Sequence, residues 1–243
     1  MGLLSKLQKP RGKLQYDHGE FQVKAVIGVY GAGGFGREVM ALLPSVVPLL
    51  FPKEKSSEIY ICFIDDQKNK PHVNGVDVLS ESEFLLLNSD QIYYTIAIAD
   101  CKSRKLVFEK MSKSPAKPIT LIFDNVLVMK NSKIGDGSII MPGVKISTSV
   151  NIGDFVHINF NSYIAHDCVI KDFVTVSPGV ICCGHTIINE GAFIGAGSTI
   201  KQGTSNKSRF IGENSILGIG SNLVEDLPSN NVFAGNPAKE LRG

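Results

Sequence analysis

The chain has 243 residues, of which 43% are hydrophobic and 20% charged, and its formal net charge is +2. That is enough chain for two modest domains with real cores, and too little charge to leave a footprint for nucleic acid or another polyanion. The most apolar run, residues 41–51, is broken by Pro44 and Pro48 and is too short to cross a bilayer, so no membrane partner is expected.

The first 22 residues carry Lys6, Lys9, Arg11 and Lys13 without the apolar core of a signal peptide, and read as a solvated extension. From Val23 the pattern alternates strand and helix. Lys24–Tyr30 is a continuous apolar run, followed by "GAGGFG" and a helical stretch over Arg37–Val47. A second run, Ile59–Ile64, ends at Asp65-Asp66, and a third, Ile92–Ala99, precedes a helical pattern from Lys102 to Met111. These elements predict a small Rossmann-like parallel sheet of about three strands over residues 23–115. "SKSPAKP", residues 112–118, reads as the linker, since its prolines stop any helix.

Beyond it the texture changes. From Ile122 to Ile200 every sixth residue is apolar, fourteen times in succession, and four residues after each lies a small or β-branched side chain. The register slips once, across "TSNKSR", and resumes at Ile211, Leu217 and Leu223, which marks an inserted loop. Neither the helical period nor strand alternation yields a sixfold recurrence, whereas a parallel β-helix of hexapeptides does. Residues 116–243 are therefore expected to form coils of three hexapeptides stacked about 4.8 Å apart, with a C-terminal cap. In such a stack residues 18 apart lie one above the other. His166 falls under Gly184, Asp167 under His185, and His157 under Thr175. A glycine above a histidine is expected to leave a gap where a ligand reaches the imidazole, and an adjacent carboxylate holds the ring in one tautomer. A lone outward histidine is more often without a role; the gap and the carboxylate favour a chemical one here.

Gly31-x-Gly33-x-x-Gly36 follows a strand and opens a helix, so it fits the dinucleotide fingerprint. Three strands are too few for two mononucleotide halves, and Asp65-Asp66 lies about 30 residues on instead of the usual 20 or so. What survives is the physical core of the motif, because glycines let a phosphate approach the helix N-terminus. The pyrophosphate of a nucleotide-sugar meets that requirement as well as a dinucleotide does. The plainer alternative is a tight turn alone.

The hexapeptide repeats resemble the left-handed β-helix acyltransferases. With "VYGAGGFGREV", "CFIDD", "NGVDVL" and the closing "FAGNPAKELR", nearly the whole chain is similar to nucleotide-sugar acetyltransferases. These include the N-acetyltransferase for UDP-4-amino sugars of the bacillosamine pathway and the sialic acid O-acetyltransferases. The resemblance implies acetyl transfer from acetyl-CoA to the amino group of a nucleotide-linked 4-amino-4,6-dideoxy sugar, for surface polysaccharide or glycan synthesis. It implies that His166 is the general base, since "HDCVIKDF" matches the family pattern with Asp167 in place of the usual Glu, and that Asn159 contacts the sugar. The glycine loop and the strand ends that follow would hold the nucleotide-sugar through Gly33, Gly34, Phe35, Arg37, Asp65, Asp66 and Ala99. Main-chain contacts to acetyl-CoA map to Gly184, Ala196 and Ile219. The family's second histidine falls at Thr175, whose hydroxyl is expected to donate one hydrogen bond, with His157 as the alternative contributor. Lys201, Lys207 and Arg209 cluster at the inserted loop, facing either CoA phosphates or solvent. The expected mechanism is direct transfer in a ternary complex with the Gly184 N–H at the oxyanion.

A three-sided prism with sites on its faces pairs naturally around a threefold axis, so a homotrimer is expected. Five cysteines with no CxxC pair read as reduced thiols of a cytoplasmic protein, and Cys168 as a core residue. The runner-up function is O-acetylation of a sugar hydroxyl, and a non-catalytic nucleotide-sugar sensor is a more distant one. A zinc carbonic anhydrase on the same scaffold needs three converging histidines, and His157, His166 and His185 lack that spacing, so no metal is expected.

Overall fold

A computed structural model of the chain describes residues 23–67 and 70–241; the N-terminal extension lies outside them. The chain forms two compact units, one reaching to Ile98 and including Phe108–Ile119, the other made of Ala99–Val107 and everything from Thr120 on. The chain therefore does not divide at one point near residue 115: the segment 99–107 belongs with the repeats.

The first unit is a six-stranded sheet in the order β3-β4-β2-β1-β5-β6, formed by β1 (Ala25–Tyr30), β2 (Ile59–Ile64), β3 (His72–Val73), β4 (Val76–Leu79), β5 (Gln91–Ile96) and β6 (Lys117–Pro118). All neighbours are parallel except β3, which turns back on β4 through Asn74 and Gly75, both at positive φ. Strand β1 is buried along its whole length, as the interior strand of a parallel sheet must be. The sheet is twice the size expected from sequence. β3, β4 and β6 are two to four residues long, too short to carry a period, and part of the supposed linker is β6, paired with β5. Its Pro118 has no N–H to donate, which an edge strand tolerates. The strand count therefore gives no argument against a doubly wound sheet. β1 lies between β2 and β5, the reversal point beside which such sheets bind ligands.

Helix α1 (Gly34–Leu50) begins in the glycine loop, buries Val39, Met40, Leu43, Val46 and Val47, and runs through Pro44 and Pro48 instead of stopping near Val47. Helix α2 (Glu81–Leu85) opens on a reciprocal cap: the Glu83 N–H donates to Ser80 Oγ (3.3 Å) and the Ser80 N–H to Glu83 Oε2 (2.7 Å). Helix α3 is Cys101–Met111. Among the described residues no helix is long and apolar enough to cross a membrane.

The second unit is a left-handed parallel β-helix whose coils contribute to three sheets of eight, six and five strands. His157 pairs with Thr175, Tyr163 with Ile181 and Val169 with Ile187, each 18 apart. Ile188 pairs with Ile211, so residues between them hold an insertion and the stack continues unbroken. The every-sixth column from Ile140 to Leu223 is buried, each isoleucine contributing about 1.5–3 kcal/mol of apolar burial. Ile122 and Val128, from the same column, are 40% and 37% exposed because their coil has a strand neighbour on one side only. A second column, unread in the sequence, runs through the corners: Asn125, Asn131, Phe155, Asn161, Asp167, Phe173 and His185 all have φ between 52° and 65°. At the far end, Val232–Gly235 joins the sheet beside Ile216–Leu217 and folds back onto Ala238–Glu240.

Candidate active site

His166 and Asp167 form the corner after the strand Tyr163–Ile164, at a left-handed position that turns both side chains outward. His166 Nδ1 lies 2.8 Å from Asp167 Oδ2, with the two side chains 50% and 46% exposed. A carboxylate only accepts, so Nδ1 carries a proton, and in the neutral ring the lone pair is then on Nε2. One coil up, Gly184 covers the ring: a Cβ there would sit 2.6 Å from His166 Cε1 and 2.8 Å from Nε2. The gap expected above the histidine is thus filled by the imidazole itself. Among the described residues the Gly184 N–H has no acceptor, while its carbonyl accepts from Gly203 (3.0 Å). This corner brings together an imidazole, a carboxylate on its Nδ1 and a glycine whose N–H has no acceptor among the described residues.

Thr175 is elsewhere, on the sheet that contains His157 and Phe193, and is 2% exposed. Its hydroxyl donates to the Ala99 carbonyl (3.0 Å) and accepts from Arg104 Nη2 (3.1 Å), which leaves it no proton for a thioester. His157, fully buried beneath it, presents Nδ1 to Arg104 Nη1 at 3.2 Å. Nothing in the sequence singles out Arg104, which lies in the helix Cys101–Met111. Its guanidinium is fully buried and donates to the carbonyls of Phe155 (2.9 Å), Phe173 (2.6 Å) and Ala99 (3.2 Å). Burial pulls its pKa down to about 10, against the opposing pull of Cys101 and Asp100. Thr175, His157 and Ala99 are thus parts of one clamp that ties residues 99–107 to a β-helix face.

Asn159, Ala196 and Ile219 follow the strands His157–Ile158, Phe193–Ile194 and Ile216–Leu217 of that same sheet, with Thr175–Val176 between the first two, so they lie along the corner before the strand Tyr163–Ile164. Ile219 is 80% exposed. His166 and Gly184 occupy the next corner, one side of the triangle away. Within one chain the base and the predicted contacts at 159, 196 and 219 are on different edges of the prism. Arg209 ion-pairs with Asp226 (2.6 Å). Cys168 is a fully buried core residue, as expected, with its Sγ 3.9 Å from that of Cys182.

In the first unit, Gly33 caps α1, and a Cβ on Gly33 or Gly34 would touch nothing within 4 Å. Gly36 is different, because a Cβ there would collide with the Gly31 carbonyl. Gly36 is needed by the fold; the fold makes no such demand of Gly33 and Gly34, and they leave open space before the helix N-terminus. Arg37, one turn in, is exposed. Asp65 braces the loop, accepting from the Ala32 N–H (3.3 Å) and the Gln67 N–H (3.0 Å). Asp66 turns the other way. It accepts from the Glu81 N–H (2.8 Å), Tyr30 Oη (3.1 Å) and Lys110 Nζ (3.1 Å), and these bonds hold its carboxyl below the usual range. Lys110 is raised in turn by Glu81 and Asp66, while burial, with Asp66 next in importance, pushes Tyr30 far up. The paired aspartates therefore do different work, and Asp65 alone stays with the glycine loop.

A left-handed β-helix with a His–carboxylate pair at one corner defines an acyltransferase of the hexapeptide-repeat class. The profile of the PglD N-terminal domain matches residues 26–111. GDP-perosamine N-acetyltransferase of Escherichia coli O157:H7 is 39% identical over 88% of this chain and 96% of its own. Among solved structures, WeeI from Acinetobacter baumannii AYE superposes with a TM-score of 0.83 at 37% identity, covering 90% of this chain and all of the other. The acetyltransferase domain of PglB from Neisseria gonorrhoeae FA1090, in complex with acetyl coenzyme A, gives 0.76 at 28% identity over 90% of this chain and 100% of that one. The chain belongs to the acetyl-CoA-dependent sugar N-acetyltransferases of the hexapeptide-repeat type.

Proposed function

We propose that the enzyme moves the acetyl group of acetyl-CoA onto the 4-amino group of a nucleoside-diphosphate-linked 4-amino-4,6-dideoxy sugar, with His166 as general base. The observation that carries this is the His166–Asp167 pair packed under Gly184, with the carboxylate on Nδ1 and the backbone of Gly184 in close approach to the ring. The sugar nitrogen attacks the thioester carbon and its proton passes to Nε2; the C–S bond breaks and the proton returns to the departing CoA thiolate. The Gly184 N–H donates to the oxyanion formed in between, a contribution of about 3–4 kcal/mol where such a donor has been removed in other enzymes. Asp167 stabilises the imidazolium while it exists.

Gly33, Gly34 and the N–H groups opening α1 hold the pyrophosphate, with Arg37 as its cation and Asp65 as the acidic group nearest the nucleoside. Asp66, Ala99 and Thr175 support the fold around these parts. The family relative named for GDP-perosamine makes that compound the first substrate to try. Asn159, Ala196 and Ile219 serve a site completed by a second copy, since they share no edge with His166. The five cysteines are free thiols, which suits a reducing cytoplasm and the glycan-precursor synthesis carried out there.

The test is thiol release from acetyl-CoA with GDP-perosamine, in parallel with UDP- and dTDP-linked 4-amino sugars and with the corresponding 4-hydroxy sugars. His166→Ala is expected to lower kcat about 10²–10⁴-fold while thermal stability and acetyl-CoA binding persist. Turnover within fivefold of wild type in that variant would remove His166 from the chemistry. Faster reaction with the hydroxy sugars would make the enzyme an O-acetyltransferase.

A further inference from the structure

Asp167 touches two imidazoles, not one. Its Oδ2 lies 2.8 Å from His166 Nδ1 and 3.8 Å from Nε2 of His185, the residue stacked one coil above it. The His166 and His185 rings meet edge to face, with centroids 5.3 Å apart at 85°. The backbone holds the pair in place: the His185 N–H donates to the His166 carbonyl (3.1 Å), and the His185 carbonyl accepts from the Arg209 N–H (2.8 Å).

An exposed ion pair contributes only about 0–1 kcal/mol, too little to keep a half-exposed aspartate in one rotamer. Asp167 has to be held in one, because the tautomer of His166 depends on it. We propose that His185 is a positioning residue, which keeps the Asp167 carboxylate on His166 Nδ1 through a polar contact at the same oxygen. This rests on the reading of His166 as base. At 3.8 Å the contact is electrostatic; a small side-chain rotation brings it to hydrogen-bond length. Its effect belongs to the step in which His166 gains a proton, because what it steadies is the carboxylate that orients the base. The loss on removing it therefore appears in kcat and leaves KM alone.

Three variants of the full-length enzyme separate this from packing. His185→Gln keeps a donor, His185→Leu keeps bulk without one, and His185→Ala keeps neither. The expected result is a five- to twentyfold fall in kcat for Leu and Ala, KM for both substrates within twofold of wild type, and at least half of wild-type kcat for Gln. Melting temperature serves as the folding control. The proposal is overturned if His185→Leu matches wild type, which makes His185 a packing residue, or if His185→Ala stays within twofold while His166→Ala is inactive. It is also overturned if the purified protein binds one zinc ion per chain through this trio and loses activity on chelation, since the three ligand atoms lie within 4.8 Å of one another. An active His166→Ala is a different failure, that of the base assignment itself.

Discussion

At the scale of single residues, the proposed chemistry turns on how little room separates His166 from the coil above it. The 18-residue stacking placed Gly184 over the histidine, but the space it leaves is taken by the ring, not by a ligand. Glycine is needed here for close approach; no unusual φ is involved. Gly184→Ala puts a methyl within 3 Å of Cε1 and Nε2 and pushes the imidazole away from the position Asp167 holds. Because the displaced group is the tip of a side chain, the fold absorbs the change. The expected outcome is a kcat reduced about 10–100-fold, in line with a lost orienting contact, with a melting temperature within a few degrees of wild type. Steady-state kinetics beside a thermal melt would show it, and an unchanged kcat would mean the ring does not need its place. The same scale explains what the sequence did not disclose. Spacing revealed His166, Asp167 and the stacked His185, but gave no sign that Thr175 spends its hydroxyl on Ala99 or that Asp66 is consumed by Tyr30, Lys110 and Glu81. Those bonds join segments whose separation follows no period.

Among the elements, the glycine loop and α1 show how a motif can be divided by purpose. Gly36 meets the Gly31 carbonyl and is there for the chain; Gly33 and Gly34 face open space and carry ordinary negative-φ or unconstrained backbone. If the pyrophosphate occupies that space, a methyl at either position blocks it without touching the protein. Gly33→Ala and Gly34→Ala are expected to raise KM for the nucleotide-sugar about tenfold or more while KM for acetyl-CoA and the melting temperature stay the same. Equal KM values would return the loop to the role of a plain turn. The strands of this sheet were legible where they were long and apolar, as in β1 and β2, and illegible at β3, β4 and β6, which are only two to four residues long. α1 was read three residues short at each end, at its C-terminal end because proline usually stops a helix, whereas here the helix runs on through Pro48.

For the whole molecule, the residues expected to serve the site fall on two edges of the prism. Asn159, Ala196 and Ile219 line one edge of the prism and His166 with Gly184 another. If both edges serve one site, as proposed, a second copy brings them face to face, and a prism with three sides closes that arrangement with three copies. Light scattering of the purified enzyme is expected to give about three times the 26.3 kDa chain mass; a monomer that is fully active would overturn the shared site. The six-residue period was enough to establish the β-helix, the inserted loop before Ile211 and the vertical pairs His166–Gly184 and Asp167–His185, because in a stacked coil sequence distance alone sets who lies above whom. The clamp of Arg104 on the carbonyls of Phe155, Phe173 and Ala99, the withdrawal of Thr175 from solvent, the bonds that occupy Asp66, and the strand made from the linker followed from packing between aperiodic segments. Such contacts are selected by shape and hydrogen-bond satisfaction once the chain is folded, and no local pattern encodes them.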